Sequence, residues 1–169
     1  DASDSARVAE SVKPNTKMIF LETPSNPLCK VSDIALARQA ADRSGAMLVV
    51  DNAFATPYHQ KPLGLGADLV VHSVTKALGG HNDVMGGAIA GSKDLYNDLW
   101  FTRQAIGTTH DAYSASLLER GLKTFDLRSK TMSANAQAMA EFLAGKPGIS
   151  NLHYPGLKSD AGYKTACKQ

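Results

Sequence analysis

The sequence predicts an α/β fold: a mostly parallel sheet with helices on both faces. Three observations carry that prediction. Short runs that are apolar throughout, Met18-Ile19-Phe20-Leu21, Met47-Leu48-Val49-Val50 and Leu69-Val70-Val71, have the length of strands rather than helices. Segments with helical spacing separate and follow them. Each apolar run ends in a polar cluster, where a parallel sheet collects its ligand-binding groups.

Taken in order, residues 1–15 are polar and form a helix remnant that leads into Lys13-Pro14. The run Lys17 to Glu22 is a strand expected to be covered on both faces, and Thr23-Pro24-Ser25-Asn26-Pro27 breaks it as a turn. Ser32 or Asp33 can cap a helix over Ala35 to Arg43, which Gly45 ends. The second strand runs Met47 to Asp51, and the third, Asp68 to Ser73, follows a loop with Pro57 and Pro62. Gly86 to Gly91 reads as a shorter fourth strand. Helical patterns follow over Ser92 to Gln104, Ala112 to Lys123 and Asp126 to Ala144. The last of these puts Met132, Ala136, Met139 and Leu143 on one face, with both methionines expected in the core. Trp100 and Phe101 are read as packing residues, His81-Asn82-Asp83 as a loop, and Ile149 to Tyr154 as the start of a further strand.

Composition narrows the function. The chain has 169 residues, about one domain, and its 43% hydrophobic content is ordinary for a globular protein. A net charge of +2 supplies neither a basic field for nucleic acid nor a polybasic membrane patch. No apolar run approaches the ~20 residues of a membrane-spanning helix. Cys29 and Cys167 fit no metal or redox spacing and suit a reducing cytoplasm. His59, His72, His81, His110 and His153 show no ligand spacing, so no metal is assigned. The chain opens at Asp1 and stops at Lys168-Gln169 without a closing signal, so it is expected to be a piece of a longer protein.

The strand ends carry the chemistry. Lys76 follows the third apolar run, with hydroxyls at Ser73 and Thr75 and with Gly79-Gly80 after it. A lysine in a partly apolar site has its ammonium disfavoured, and a free amine condenses with an aldehyde. Asp51 ends the second run, where a carboxylate can hold a ring nitrogen protonated. Such a pair about 4 Å apart is worth about 4 kcal/mol at an effective dielectric of 20. Ser73 and Thr75 can donate to phosphate, and their alternation puts them on one face if the strand continues. Asn26 offers an amide to a phenolic oxygen or to substrate. Amine, acid, hydroxyls and amide together match pyridoxal 5'-phosphate. Each has a blander reading: Asp51 as a cap, Ser73 and Thr75 as turn residues, Asn26 as part of a proline turn.

Val70-Val71-His72-Ser73-Val74-Thr75-Lys76 with Gly79-Gly80-His81-Asn82-Asp83 resembles the lysine motif of the Cys/Met-metabolism (trans-sulfuration) family of pyridoxal-phosphate enzymes. Glu22-Thr23-Pro24-Ser25-Asn26-Pro27, Val50-Asp51-Asn52-Ala53-Phe54-Ala55-Thr56-Pro57, Arg120-Gly121-Leu122-Lys123-Thr124 and His153-Tyr154-Pro155-Gly156-Leu157 are similar to other stretches of that family. The resemblance implies a fold-type I (aspartate-aminotransferase-like) large domain, here an incomplete segment. It implies that residues 1–124 belong to the cofactor-binding domain, 125–148 to a connecting helix and 149–169 to the start of a small domain. It also implies Lys76 as the Schiff-base lysine and proton shuttle, Asp51 at the ring nitrogen, Ser73 and Thr75 at the phosphate, and Asn26 at the ring oxygen. The implied reaction is γ-replacement or γ-elimination on a homoserine ester, cystathionine or methionine, in a cytoplasmic homotetramer with a small amino-acid substrate.

Ala77 departs from the aromatic that commonly follows the lysine. The family's ring-stacking tyrosine, phosphate-binding glycine turn and substrate-carboxylate arginine have no counterpart in the chain, so the segment alone is expected to be inactive. Other readings compete less well. Ser73-Val74-Thr75-Lys76 formally reads S-x-x-K, but the S-D-N and K-T-G partners of serine acyl enzymes are incomplete in Ser32-Asp33-Ile34 and Lys123-Thr124-Phe125. A P-loop ATPase lacks its G-x-x-x-x-G-K-[ST]. A catalytically inert fragment or dead relative with a structural role is the non-enzymatic alternative.

Overall fold

The structure, a computed structural model, describes residues 1–169. Its element order is α1 (Ser5–Ser11), β1 (Met18–Glu22), α2 (Ile34–Asp42), β2 (Met47–Asp51), α3 (Thr56–His59), β3 (Leu69–Ser73), β4 (Gly87–Gly91), α4 (Tyr96–Ile106), α5 (Ala112–Leu122), α6 (Phe125–Leu143) and α7 (Tyr163–Lys168). The strands form one sheet in the order β1-β2-β3-β4. β1, β2 and β3 are parallel, whereas β4 runs antiparallel to β3. The fold is therefore α/β with a mostly parallel sheet.

Register divides the side chains between two faces. Leu21, Val50 and Val70 share one face, joined by Leu48. Ile34, Ala37 and Ala41 of α2 pack there and complete a core with Ala46 and Ala67. α2 is set by its ends: the Asp33 carboxylate accepts from the Leu36 N–H at 3.0 Å, and Gly45 leaves the helix at φ +66. Arg38 then ties α2 to the sheet, donating to Asp68 Oδ2 at 2.8 Å, an oxygen that also accepts from the Leu48 N–H at 2.7 Å.

The opposite face carries Met18, Phe20, Val49 and Val71. β1 was expected to be covered on both faces and is not. It lies at the sheet's edge, and Phe20 is 58% exposed. Among the four strands only β2 has its three central residues, Leu48, Val49 and Val50, all buried.

The later helices form close to where the spacing puts them, yet bury little. α4 buries no residue, α5 only Gly121, and α6 only Ser129 and Ala140. Met132 and Met139 are therefore not core residues here, and Met139 is 64% exposed. Trp100 and Phe101 are likewise exposed rather than packed. One-sided apolar spacing marks the face that needs a partner and does not say that this chain supplies it. Residues 149–154 form no strand; no neighbouring strand pairs with them, and the Tyr154 N–H donates to Asp160 instead. α7 turns back to the sheet half, where the Gln169 amide bridges Ile34, Ser32 and Gln60. No helix is long and apolar enough to cross a membrane.

Candidate active site at the strand ends

Parallel pairing brings the carboxyl ends of β1, β2 and β3 to one rim. Glu22 pairs with Asp51 and Asp51 with Val71, so Asp51 and Ser73, two residues further along β3, share a face. Behind Asp51 the chain is locked by a buried amide network. Gln60 Nε2 donates to Asn52 Oδ1 at 2.9 Å and to the Thr23 carbonyl at 3.0 Å, while Asn52 Nδ2 donates to the Gln60 carbonyl at 3.0 Å. Asn52 and Thr23 are fully buried, so these bonds satisfy groups that would otherwise be costly to desolvate. The network ties the ends of β1 and β2 to α3 and fixes the backbone beside Asp51.

Asp51 is half-buried. One of its oxygens accepts from the Ala53 N–H at 2.9 Å and the other has no protein partner. The Ser73 hydroxyl is half-buried and unpartnered. After Ser73 the chain leaves the sheet in a π-helical turn, Val74–Leu78, in which Lys76 has non-helical φ −86 and ψ −129. Strand geometry therefore does not continue to Thr75, and alternation does not set its direction. The Thr75 hydroxyl instead accepts from the Gly86 N–H at 2.9 Å, and its own proton reaches the Gly86 carbonyl only at 3.4 Å. Lys76 follows on the exposed side of the turn and makes no ion pair. The apolar enclosure expected around it is not supplied by this chain. Asn26 lies at the exposed tip of the loop after β1, a loop pinned at its base where Thr23 Oγ1 accepts from the Ser32 N–H at 3.0 Å.

Two residues at the site were not anticipated. His72 on β3 is 9% exposed. Burial holds its imidazole below the ordinary histidine range, against the opposing pull of the Asp51 carboxylate and the Asn52 backbone. Its only sequence signal is its place between Val71 and Ser73 at a strand end. Arg128 on α6 reaches the carbonyls of Ala77 and Leu78, directly after Lys76. No local pattern announces a contact across that sequence distance.

A cavity of about 500 Å3 borders the Lys76 turn at Ala77. Phe54, Thr56, His59, Ala77, Met132 and Tyr154 line it, whereas Asp51, Ser73 and Lys76 do not. The chemistry thus sits on the rim and not in the cavity. A carboxylate oxygen, a hydroxyl and an amine, all without protein partners, stand together at one end of the sheet. That donor set fits a cofactor that presents a ring nitrogen, a phosphate and an aldehyde.

Comparison with known proteins agrees with the cofactor that this donor set fits. The sequence profile of the family described as "Cys/Met metabolism PLP-dependent enzyme" matches residues 1–169. Cystathionine gamma-lyase of Bacillus subtilis is 44% identical over 170 residues, covering 100% of this chain and 45% of that protein. Cystathionine beta-lyase of Lactococcus lactis is 45% identical over 170 residues, with 100% and 45% covered. A crystal structure of cystathionine gamma synthase from Xanthomonas oryzae in complex with cystathionine superposes with a TM-score of 0.96 at 40% identity, covering 100% of this chain and 44% of that one. The chain spans less than half the length of these relatives. With a family profile matched from end to end, this chain belongs to the pyridoxal-phosphate-dependent enzymes of Cys/Met metabolism.

Proposed function

We propose that the protein to which this chain belongs catalyses γ-replacement or γ-elimination on a homoserine ester, cystathionine or methionine, with pyridoxal phosphate held on Lys76 as a Schiff base. The observation that carries the reading is the single rim on which Asp51, Ser73 and Lys76 meet with unpartnered polar groups. When bound, the cofactor supplies an electron sink next to the substrate carbon.

The chain's own residues then have defined tasks. Asp51, its backbone fixed by Asn52 and Gln60, favours a protonated ring nitrogen through its free oxygen. Ser73 donates its hydroxyl proton to phosphate. Thr75, already accepting from the Gly86 N–H, turns the proton of its weak 3.4 Å contact to the same anion. Asn26 donates its amide to the ring oxygen or to the substrate. Lys76 Nζ would hold the cofactor through its aldehyde and would carry a proton between substrate carbons.

The γ-carbon is favoured because relatives named cystathionine gamma-lyase, cystathionine gamma-synthase and L-methionine gamma-lyase stand at 42–45% identity. Relatives named cystathionine beta-lyase at 45% make β-elimination the competing outcome. The same reading takes residues 1–124 as cofactor domain, 125–148 as connecting helix and 149–169 as the start of the next domain, in a cytoplasmic homotetramer. Because Lys76 is exposed here, the isolated chain is expected to be inactive.

The test is reduction of the full-length protein with borohydride after incubation with pyridoxal phosphate, followed by peptide mass spectrometry. A phosphopyridoxyl group on Lys76, lost in Lys76→Ala, is the expected outcome. A folded protein with no visible band and no adduct on Lys76 would sink the reading and leave the inert relative. A panel of cystathionine, methionine and homoserine esters then separates γ- from β-chemistry by product.

A further inference from the structure

The turn that carries Lys76 is held from behind by backbone carbonyls and one guanidinium. Arg128 Nη1 donates to the Ala77 carbonyl at 2.8 Å, and Nη2 donates to the Gly121 carbonyl at 2.8 Å and to the Leu78 carbonyl at 3.4 Å. Nε donates to Thr124 Oγ1 at 3.0 Å, which fixes the fork on its own helix. Arg128 makes no ion pair within the chain; its charge is answered by carbonyl oxygens. Those oxygens sit at the carboxyl ends of two helical segments, the Val74–Leu78 turn and α5, where a cation is favoured.

The packing around the fork is tight. A Cβ on Gly80, whose φ is +74, would run into the Arg128 guanidinium, and a Cβ on Gly121 would run into the Gly79 carbonyl. His81 Nδ1 lies 2.8 Å from the Gly79 carbonyl, and Arg120 pairs with Asp83 further along. Residues 77–83 are thus docked on the α5–α6 elbow by polar and backbone contacts, whereas Ser73 ends β3 and Val74 opens the turn with its side chain buried.

We infer that Arg128 is a positioning residue for Lys76: by fixing the peptide planes that carry the Ala77 and Leu78 carbonyls, just beyond it, the guanidinium sets the direction in which the Lys76 side chain leaves the turn. The inference rests on the assignment of Lys76 as the cofactor lysine. A planar fork with several fixed donors can serve three carbonyls and a hydroxyl together, and a lysine ammonium at that distance cannot reproduce the pattern. Displacement of a reacting group by about 1 Å can cost on the order of 100-fold in rate.

The experiment compares full-length wild type with Arg128→Lys and Arg128→Ala. Amide hydrogen exchange is followed in the cofactor-free protein. In the loaded protein the pH midpoint of the visible band and the kcat and KM are measured. The expected result for Arg128→Lys is exchange at least 10-fold faster over residues 77–82 with β2 unchanged. A displaced pH midpoint accompanies it, with kcat at least 10-fold lower and KM within 3-fold. For Arg128→Ala, millimolar guanidinium is expected to restore part of kcat, and ammonium is not. Should Arg128→Ala fail to fold, Arg128→Lys carries the test alone. Faster exchange throughout the protein, or exchange and pH midpoint equal to wild type while borohydride still labels Lys76, overturns the clamp. No label on Lys76 in wild type overturns the assignment of Lys76 beneath it, and the two failures are distinct.

Discussion

Two stretches of this chain are built by different forces. In residues 18–73, α2 buries Ile34, Ala37, Ala40 and Ala41, and the sheet buries Leu48, Val50 and Val70 against them. In residues 92–144, three helices of 11, 11 and 19 residues bury three residues between them: Gly121, Ser129 and Ala140. Apolar burial holds the first region. The second is held by caps, by ion pairs such as Arg120–Asp83 and by the Arg128 fork, while Phe101, Met139 and Phe142 stay exposed. The Lys76 turn lies at the seam. Its approach is fixed by a hydrophobic core and its exit by hydrogen bonds.

That contrast can be broken by substitution. Leu48→Ala, at a site with no exposure, is expected to cost about 2–5 kcal/mol in denaturant unfolding. A loss below about 1 kcal/mol would mean that the sheet half is not held by its core. Asp33→Ala is expected to cost about 1 kcal/mol, because it removes the α2 cap to Leu36. Burial works against the Asp33 carboxylate, but the Leu36 N–H and Lys168 outweigh it and hold it below the usual carboxylate range. Its contribution is therefore complete above that range and is lost as pH falls from there through the lowered value of the folded state. Acid titration of stability should be shallower in Asp33→Asn than in wild type. Met139→Ala, on the exposed face of α6, is expected to stay within about 0.5 kcal/mol. A cost near that of Leu48→Ala would remove the distinction between the regions.

The same contrast explains what could be read from sequence. β1, β2 and β3 were legible because an apolar run followed by a polar cluster marks both a strand and its ligand end. α2 was legible through Asp33 and Gly45, whose chemistry fixes a helix locally. Strand direction was not: Gly86 to Gly91 is glycine-rich, and nothing in it tells antiparallel from parallel. Met132 and Met139 carried the right period and the wrong burial, since period reports a face and not its cover. At the site, the strand-end positions of Asp51 and Ser73 followed from the apolar runs that lead into them. Thr75 did not, because the strand stops two residues earlier and its hydroxyl goes to Gly86. Arg128 was invisible because its partners are carbonyls, which every residue has.

The sheet is open at β1, where Met18 and Phe20 lie exposed beside a row of main-chain groups with no neighbouring strand. An unblocked strand edge is a template for a second one, whether from the same polypeptide or another. A net charge of +2 offers little repulsion against that encounter. Whatever covers β1, and β4 at the opposite edge, therefore also guards the chain against strand-to-strand aggregation, and handling it uncovered at high concentration invites that association before unfolding is ever reached.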